Sequence, residues 1–200
     1  MERVTRVAAV FPGQGSHGIG MGGALRDHPV SAALFERADR ILGYDLLAIV
    51  RDGPEEKLRE TRYSQPAIFA VGYALAAVAV ADGLNVVASA GHSFAEICSL
   101  ALAGALSFDE GLTLVRERGL AMHEAAQTAP GAMSAVLGLD EAAVRRAVSE
   151  AGEIGRVQLA NFNSPAQIVI SGDRDAVVRA GELATAAGAK RVVALNVSGA

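Results

Sequence analysis

The run Asn85-Val-Val-Ala-Ser-Ala-Gly91, followed at once by His92-Ser93-Phe94-Ala95, constrains this chain more than any other feature. A short apolar stretch bounded by turn residues reads as a buried strand. The residues directly after it read as the start of a helix, so the reversal must be made within two or three residues. A side chain on so sharp a strand-to-helix turn is pushed out of the sheet. Small residues two positions before it (Gly91) and two after (Ala95) let strand and helix pass closely. Ser93 is then presented to a pocket, and the Phe94 N–H, at the helix N-terminus, is placed to donate to an oxygen gaining negative charge. The usual form of this elbow has glycine at the second small position; alanine is still small enough for the turn. Taken singly, Ser93 also reads as an ordinary helix N-cap.

The rest of the pattern extends the strand–helix alternation. Val4 to Phe11 is β-branched and apolar and runs into Pro12-Gly-Gln-Gly-Ser16, a buried strand ending in a tight loop. Helices are expected over about 31–42, 45–51 and 64–82, the last with Ser64 as N-cap. Its uncharged stretch from Gln65 to Ala81 is shorter than the roughly 20 residues a bilayer span needs, and it reads as a buried helix. Ser107 and Glu110 have capping-box spacing, which predicts a helix from Phe108 to Ala129, ended by Pro130-Gly131. Beyond it come a strand over 132–137, a helix over 140–150, strands over 157–163 and 167–172, a helix over 173–187 and a strand over 191–197. That βαββαβ order is the split ferredoxin-like unit. The chain is therefore expected to be α/β, with a larger α/β-hydrolase-like portion at 1–130, incomplete at its C-terminal side. A ferredoxin-like small subdomain is inserted at 131–197, and 198–200 begin the return to the larger portion.

Composition removes several function classes. Of 200 residues 51% are hydrophobic, enough for one core or a core plus a satellite. The net charge is −4 and no stripe of Lys and Arg stands out, so a nucleic-acid partner is not expected. Cys98 is the one cysteine, which rules out an internal disulfide framework or a cysteine zinc site and fits a reducing cytoplasm. The N-terminal apolar run is too short for a secretion signal, and no membrane association is expected.

The serine elbow is accompanied by other motifs in a fixed order. Phe11-Pro-Gly-Gln-Gly-Ser16 and Gly20-Met-Gly22 follow the first strand, Arg118-Gly-Leu-Ala-Met122 lies on the helix after the elbow, and Asn161-Phe-Asn-Ser-Pro165 comes later. With Gly91-His-Ser-x-x-Glu96, these resemble the malonyl-CoA:acyl-carrier-protein transacylases and the related acyltransferase domains of polyketide synthases, over essentially the whole chain. The resemblance implies an acyl-enzyme on Ser93, formed from malonyl-CoA and passed to the phosphopantetheine thiol of an acyl carrier protein. It implies an oxyanion hole from Gln14 and the Phe94 N–H, and Arg118 as the holder of the malonyl carboxylate. Gln65, His92 and Met122 join Arg118 in the substrate-binding set. No cofactor and no metal are implied.

Physical chemistry supports the Arg118 assignment, because a guanidinium offers a carboxylate a flat bidentate fork. Arg116 cannot share it, since residues two apart on a helix point about 200° apart. The glycine loop has a rival reading: Gly13-x-Gly15-x-x-Gly18 after a strand matches the dinucleotide fingerprint. That fingerprint also needs a second strand ending in an acidic residue about 20 positions on, where this sequence reads as helix around Asp39.

A serine nucleophile needs a base within hydrogen-bond reach. Among the four histidines, His92 is expected to support the elbow from behind, and neither His17 nor His28 is a clear base. His123 lies five residues from Arg118 and so about 140° around the helix. In the family the catalytic histidine follows the strand that here reads Leu195-Asn-Val-Ser-Gly-Ala200. The chain is therefore expected to be a fragment that calls for a further C-terminal segment or a second polypeptide, with impaired activity alone. Two alternatives stay open at this point: a serine thioesterase or hydrolase that delivers the acyl group to water, and a non-catalytic module that binds a carrier protein.

Overall fold

The computed structural model describes residues 6–25 and 27–195, which form two compact units dividing between Met122 and His123. In the first, strand β1 (Arg6–Phe11) pairs in parallel with β2 (Asn85–Gly91). Between them lie a short 3-10 turn (Gly23–Leu25) and helices α1 (Pro29–Leu42), α2 (Leu46–Asp52), α3 (Glu55–Arg59) and α4 (Thr61–Ala81). Helices α5 (Ala95–Leu102) and α6 (Phe108–Thr128) come after β2. The register sets Phe11 opposite Gly91, so the loops leaving the two strands emerge side by side. His92 N–H closes that end by donating to the Phe11 carbonyl at 3.0 Å.

The core of this unit is built on α4. By length and composition α4 could cross a membrane, yet 56% of its most apolar window is buried inside the molecule. Residues 64–71 and Ala74 face the interior, packed with Phe11, Phe35, Leu46, Leu58, Leu112 and Val115. α6 reaches α4 closely because Gly111 has no side chain: a Cβ there would stand 2.7 Å from the Phe69 ring.

Several expectations need correction. α4 starts a turn earlier than expected, at Thr61, because Tyr63 and Ser64 N–H groups already donate to the Glu60 carbonyl. Ser64 is thus no N-cap but a buried residue inside the helix. Pro66 is the sixth residue of α4 and lies inside the helix, where its missing N–H removes the bond to the Arg62 carbonyl. α3 and the 3-10 turn carry too few residues to show a periodicity, and no sequence pattern announces them. His28, expected in a loop, caps α1: the Val30 N–H donates to its Nδ1 at 3.3 Å. The capping box holds in full, with Ser107 N–H and hydroxyl donating to Glu110 Oε2 and the Glu110 N–H donating to Ser107 Oγ.

The second unit contains β3 (Ala132–Leu137), α7 (Glu141–Ala151), β4 (Val157–Ser164), β5 (Gln167–Gly172), α8 (Arg174–Ala186) and β6 (Arg191–Ala194). Its strands make an antiparallel sheet in the order β4-β5-β3-β6. α7 and α8 bury Val144, Ala147, Val148, Ala176, Val177 and Ala180 against Val136, Val157, Ile168 and Ile170. The sequence pattern starts the first strand at Val4 and ends the last at Val197; residues 4–5, the final part of that last strand and the return at 198–200 lie outside the described residues.

Candidate active site

The turn at the end of β2 is as tight as the sequence requires. Gly91 runs against the first turn of α5, where a Cβ would stand 2.0 Å from the Ala95 carbonyl oxygen. No side chain fits there. Among the described residues Ser93 alone combines a side chain with a positive φ, at 57°. That left-handed conformation is one that L residues other than glycine, asparagine and aspartate seldom adopt, and it marks a position held by its surroundings. It turns the hydroxyl outward, and Ser93 is exposed. The helix begins immediately: Ala95 N–H donates to the His92 carbonyl and Glu96 N–H to the Ser93 carbonyl. The Phe94 N–H has no acceptor among the described residues, while the Phe94 ring is buried at 2% exposure and anchors the turn.

The glycine loop after β1 lies directly on this elbow. A Cβ at Gly13 would stand 2.5 Å from His92 Nδ1 and 3.1 Å from the His92 carbonyl. Gln14 is thereby carried to the site. Its carboxamide nitrogen donates to Thr61 Oγ1 at 3.2 Å, and its oxygen accepts from Gln65 Nε2 at 3.2 Å. Gln65 is fully buried, and its oxygen accepts from Arg118 Nη1 at 2.8 Å. Arg118 Nη2 in turn donates to Ser93 Oγ at 3.5 Å. Gln65 Nε2 also lies 3.4 Å from the Met122 sulfur. Burial holds the Arg118 guanidinium below the usual arginine pKa, and its carbon lies 6.0 Å above the Phe94 ring.

The structure therefore brings Ser93, Phe94, Gln14, Gln65, Arg118 and Met122 into one cluster within the first unit, with His92 packed on its flank. Arg116 points elsewhere, donating to the Ile41 carbonyl at 2.6 Å and pairing with Glu117. His123 faces Gln127, and burial lowers the pKa of His17. The Asn161–Pro165 segment belongs to β4 and the turn after it, in the second unit. Thr61 is a member that the sequence reading missed. With the helix expected to start at Ser64, its place one turn before Gln65 on the same face was hidden. A cavity of about 570 Å³ runs along β2, lined by Tyr73, Val80, Leu84, Val87 and Leu102 among others, but it carries no carboxylate, histidine or cation.

The dinucleotide reading of the glycine loop does not hold. α1 begins only at Pro29, well beyond Gly18, and the strand beside β1 is β2, which starts at residue 85. Asp39 sits within α1 and accepts from the Leu46 N–H at 2.8 Å, a structural task.

Residues 9–199 match the acyl transferase domain model. The chain belongs to the acyl transferase domain family. The malonyl CoA-acyl carrier protein transacylase of Escherichia coli K12 is 43% identical over 197 residues, which cover 98% of this chain and 64% of that protein. The chain thus spans about two-thirds, and slightly less, of the length of this curated relative. Among solved structures, an acyl carrier protein S-malonyltransferase from Vibrio cholerae matches with a TM-score of 0.88 and 43% identity, over 96% of this chain and 63% of that one. A malonyl-transacylase in complex with its type II polyketide synthase acyl-carrier protein matches with a TM-score of 0.90 and 43% identity, over 97% and 63%. The mixed α/β architecture of these acyltransferases is the architecture of this acyl transferase domain.

Proposed function

We propose that this acyl transferase domain moves a malonyl group from coenzyme A to the phosphopantetheine thiol of an acyl carrier protein, in the cytoplasm, in two steps through an ester on Ser93. The observation that carries the reading is an exposed serine hydroxyl on a strained turn with a guanidinium 3.5 Å away. In the first step Ser93 Oγ attacks the thioester carbonyl, its proton passes to a base, and coenzyme A leaves as the thiol. In the second the carrier thiol attacks the ester and Ser93 recovers its proton. The tetrahedral oxygen in each step would be held by the Phe94 N–H and by Gln14, whose carboxamide also bonds Thr61 and Gln65.

Arg118 would grip the malonyl carboxylate, with Gln65, Met122 and His92 shaping the pocket around it. His28 is occupied as a helix cap, His123 faces Gln127 and the His92 ring lies against Gly13; His17 forms no bond to Ser93, and since the resemblance puts the catalytic histidine after the strand that runs through Leu195, we assign the base to a group outside the described residues. The relatives support the substrate pair, since malonyl and acyl carrier protein stand in their names. In architecture, we read the first unit as the larger α/β-hydrolase-like subdomain and the second as an inserted ferredoxin-like one. The strand order β4-β5-β3-β6 with α7 and α8 supports the latter.

Mass spectrometry of the intact protein after incubation with malonyl-CoA tests this. A stable malonyl adduct on the peptide containing Ser93, absent from Ser93→Ala and discharged by a carrier protein, is expected. Rapid release of free malonate without a carrier would make the protein a hydrolase instead, and carrier binding indifferent to Ser93→Ala with no adduct would make it a binding module.

A further inference from the structure

The row of side-chain hydrogen bonds behind Ser93 has a direction, and its far end is Thr61. Arginine carries donors only, so the Gln65 atom facing Arg118 Nη1 must be the carboxamide oxygen. The Gln65 nitrogen must then donate, and it does so to Gln14 Oε1. That in turn leaves the Gln14 nitrogen to donate, which it does to Thr61 Oγ1. Reversing Gln65 would set donor against donor toward Arg118 and oxygen against oxygen toward Gln14, and reversing Gln14 would set its nitrogen against that of Gln65. A hydroxyl suits its end because it accepts whichever way its own proton turns.

We propose that Thr61 is a positioning residue: it supplies the terminal acceptor that anchors the Gln14 carboxamide, and through it that of Gln65, and so helps hold the Arg118 guanidinium toward Ser93. Thr61 is buried, at 2% exposure, and lies one helical turn before Gln65, on the same face of α4. Gly119, the neighbour of Arg118, gives independent support. A Cβ there would stand 2.9 Å from the Thr61 carbonyl oxygen and 3.2 Å from Arg62 Cα, so α6 meets the first turn of α4 backbone to backbone at this point. The two backbones thus meet beside the row. The Thr61 hydroxyl bonds the Gln14 carboxamide. Its effect has to travel through Gln14 and Gln65.

The inference rests on the proposed malonyl specificity for its kinetic arm and is independent of it in its spectroscopic arm. In the intact protein Thr61→Val keeps the shape and removes the acceptor, whereas Thr61→Ser keeps the acceptor. Thr61→Val is expected to raise KM for malonyl-CoA about tenfold, the scale set by loss of an acceptor to a buried amide, and by more than any rise in KM for acetyl-CoA. Thr61→Ser should restore the malonyl KM. In parallel, NMR should show the Gln65 side-chain amide protons protected from exchange in the wild type and in Thr61→Ser. They should be shifted and exposed to exchange in Thr61→Val, and in Thr61→Ala if the valine variant does not fold. Unchanged Gln65 amide signals in the acceptor-less variant overturn the proposal, whatever the protein's activity. So does a serine variant that behaves like the valine one. A wild type that never malonylates Ser93 defeats the transferase reading, and the NMR arm then decides Thr61 alone.

Discussion

Arg118 Nη2 and Ser93 Oγ stand 3.5 Å apart, although the residues lie 25 positions apart on different elements. Arg118 is partly desolvated, and its pKa is lowered by that burial, but a guanidinium keeps its charge at neutral pH. A cation in such a setting attracts a carboxylate more strongly than one in open water. In the proposed transfer the malonyl carboxylate would lie two bonds beyond the carbonyl attacked by Ser93, on the side of this guanidinium.

The first expectation comes from that spacing. Arg118→Ala should lower kcat/KM for malonyl transfer by about 10- to 100-fold, the equivalent of one charge-assisted pair, while acetyl transfer is spared or improved. Arg118→Lys should fall between, since an ammonium lacks the planar fork. Competition between malonyl-CoA and acetyl-CoA measures the ratio directly; equal losses for both donors would remove the carboxylate-holding role.

The φ of 57° at Ser93 gives a second expectation, on stability rather than rate. Ser93→Gly and Ser93→Ala both remove the hydroxyl and should both abolish the acyl adduct. Only glycine relieves the left-handed backbone, which costs an L residue about 1–2 kcal/mol. The glycine variant should therefore exceed the alanine variant by about 1 kcal/mol in denaturant melts. Equal stabilities would mean that the turn carries no strain.

Much of this site was legible in the sequence because its parts are local. The elbow needs a strand, two small residues and a helix in succession, and Gly91, Ser93 and Ala95 meet that need within five positions. The expected spans of β2, β3 and β5 coincide with those observed, since each is a short apolar run with turn residues at its ends. The capping box at Ser107 and Glu110 fixed the start of α6 for the same reason. What escaped depends on contacts between distant segments. Thr61 gains its role only when Gln14, 47 residues away, arrives beside it, and no local pattern signals that. α4 begins before Ser64 because tertiary packing draws one more turn into the helix, so the N-cap preference of serine was overridden. The side-by-side arrival of the two loops results from the parallel register of Phe11 with Gly91, a pairing between segments far apart in the chain.

A third expectation concerns pH at the start of α6. Hydrogen bonds from the Ser107 N–H and hydroxyl hold the exposed Glu110 carboxyl below the usual glutamate range. Its folded pKa is depressed, so its contribution to stability is present above the unfolded glutamate pKa and is lost as pH falls through the folded one. NMR titration should show Glu110 titrating below the ordinary value, and Ser107→Ala should return it upward. An unmoved Glu110 in that variant would leave the whole depression to the Ser107 backbone N–H, which alanine keeps.

Cys98 offers a probe of the first unit as a whole. It is 1% exposed, and burial pushes its thiol up to about 12, from an ordinary value of 9.0. The thiolate is the reactive form, so in the native protein at pH 8 the sulfur should resist alkylation and react only as fast as the unit opens. The same shift has a thermodynamic consequence whose sign is fixed. A thiol whose folded pKa is raised contributes stability that is complete below its unfolded pKa. That contribution fades as pH rises toward the folded pKa, because the unfolded chain ionises first. Between pH 8 and pH 10 the wild type should therefore lose about 1 kcal/mol more stability than Cys98→Ala, the equivalent of roughly one pKa unit of ionisation open only to the unfolded state. Urea melts of both proteins at the two pH values give the difference. A gap between them that stays constant with pH would show that the thiol ionises in the folded unit as readily as in the unfolded one, contrary to its packing between α5 and α4 beside the Phe69 carbonyl.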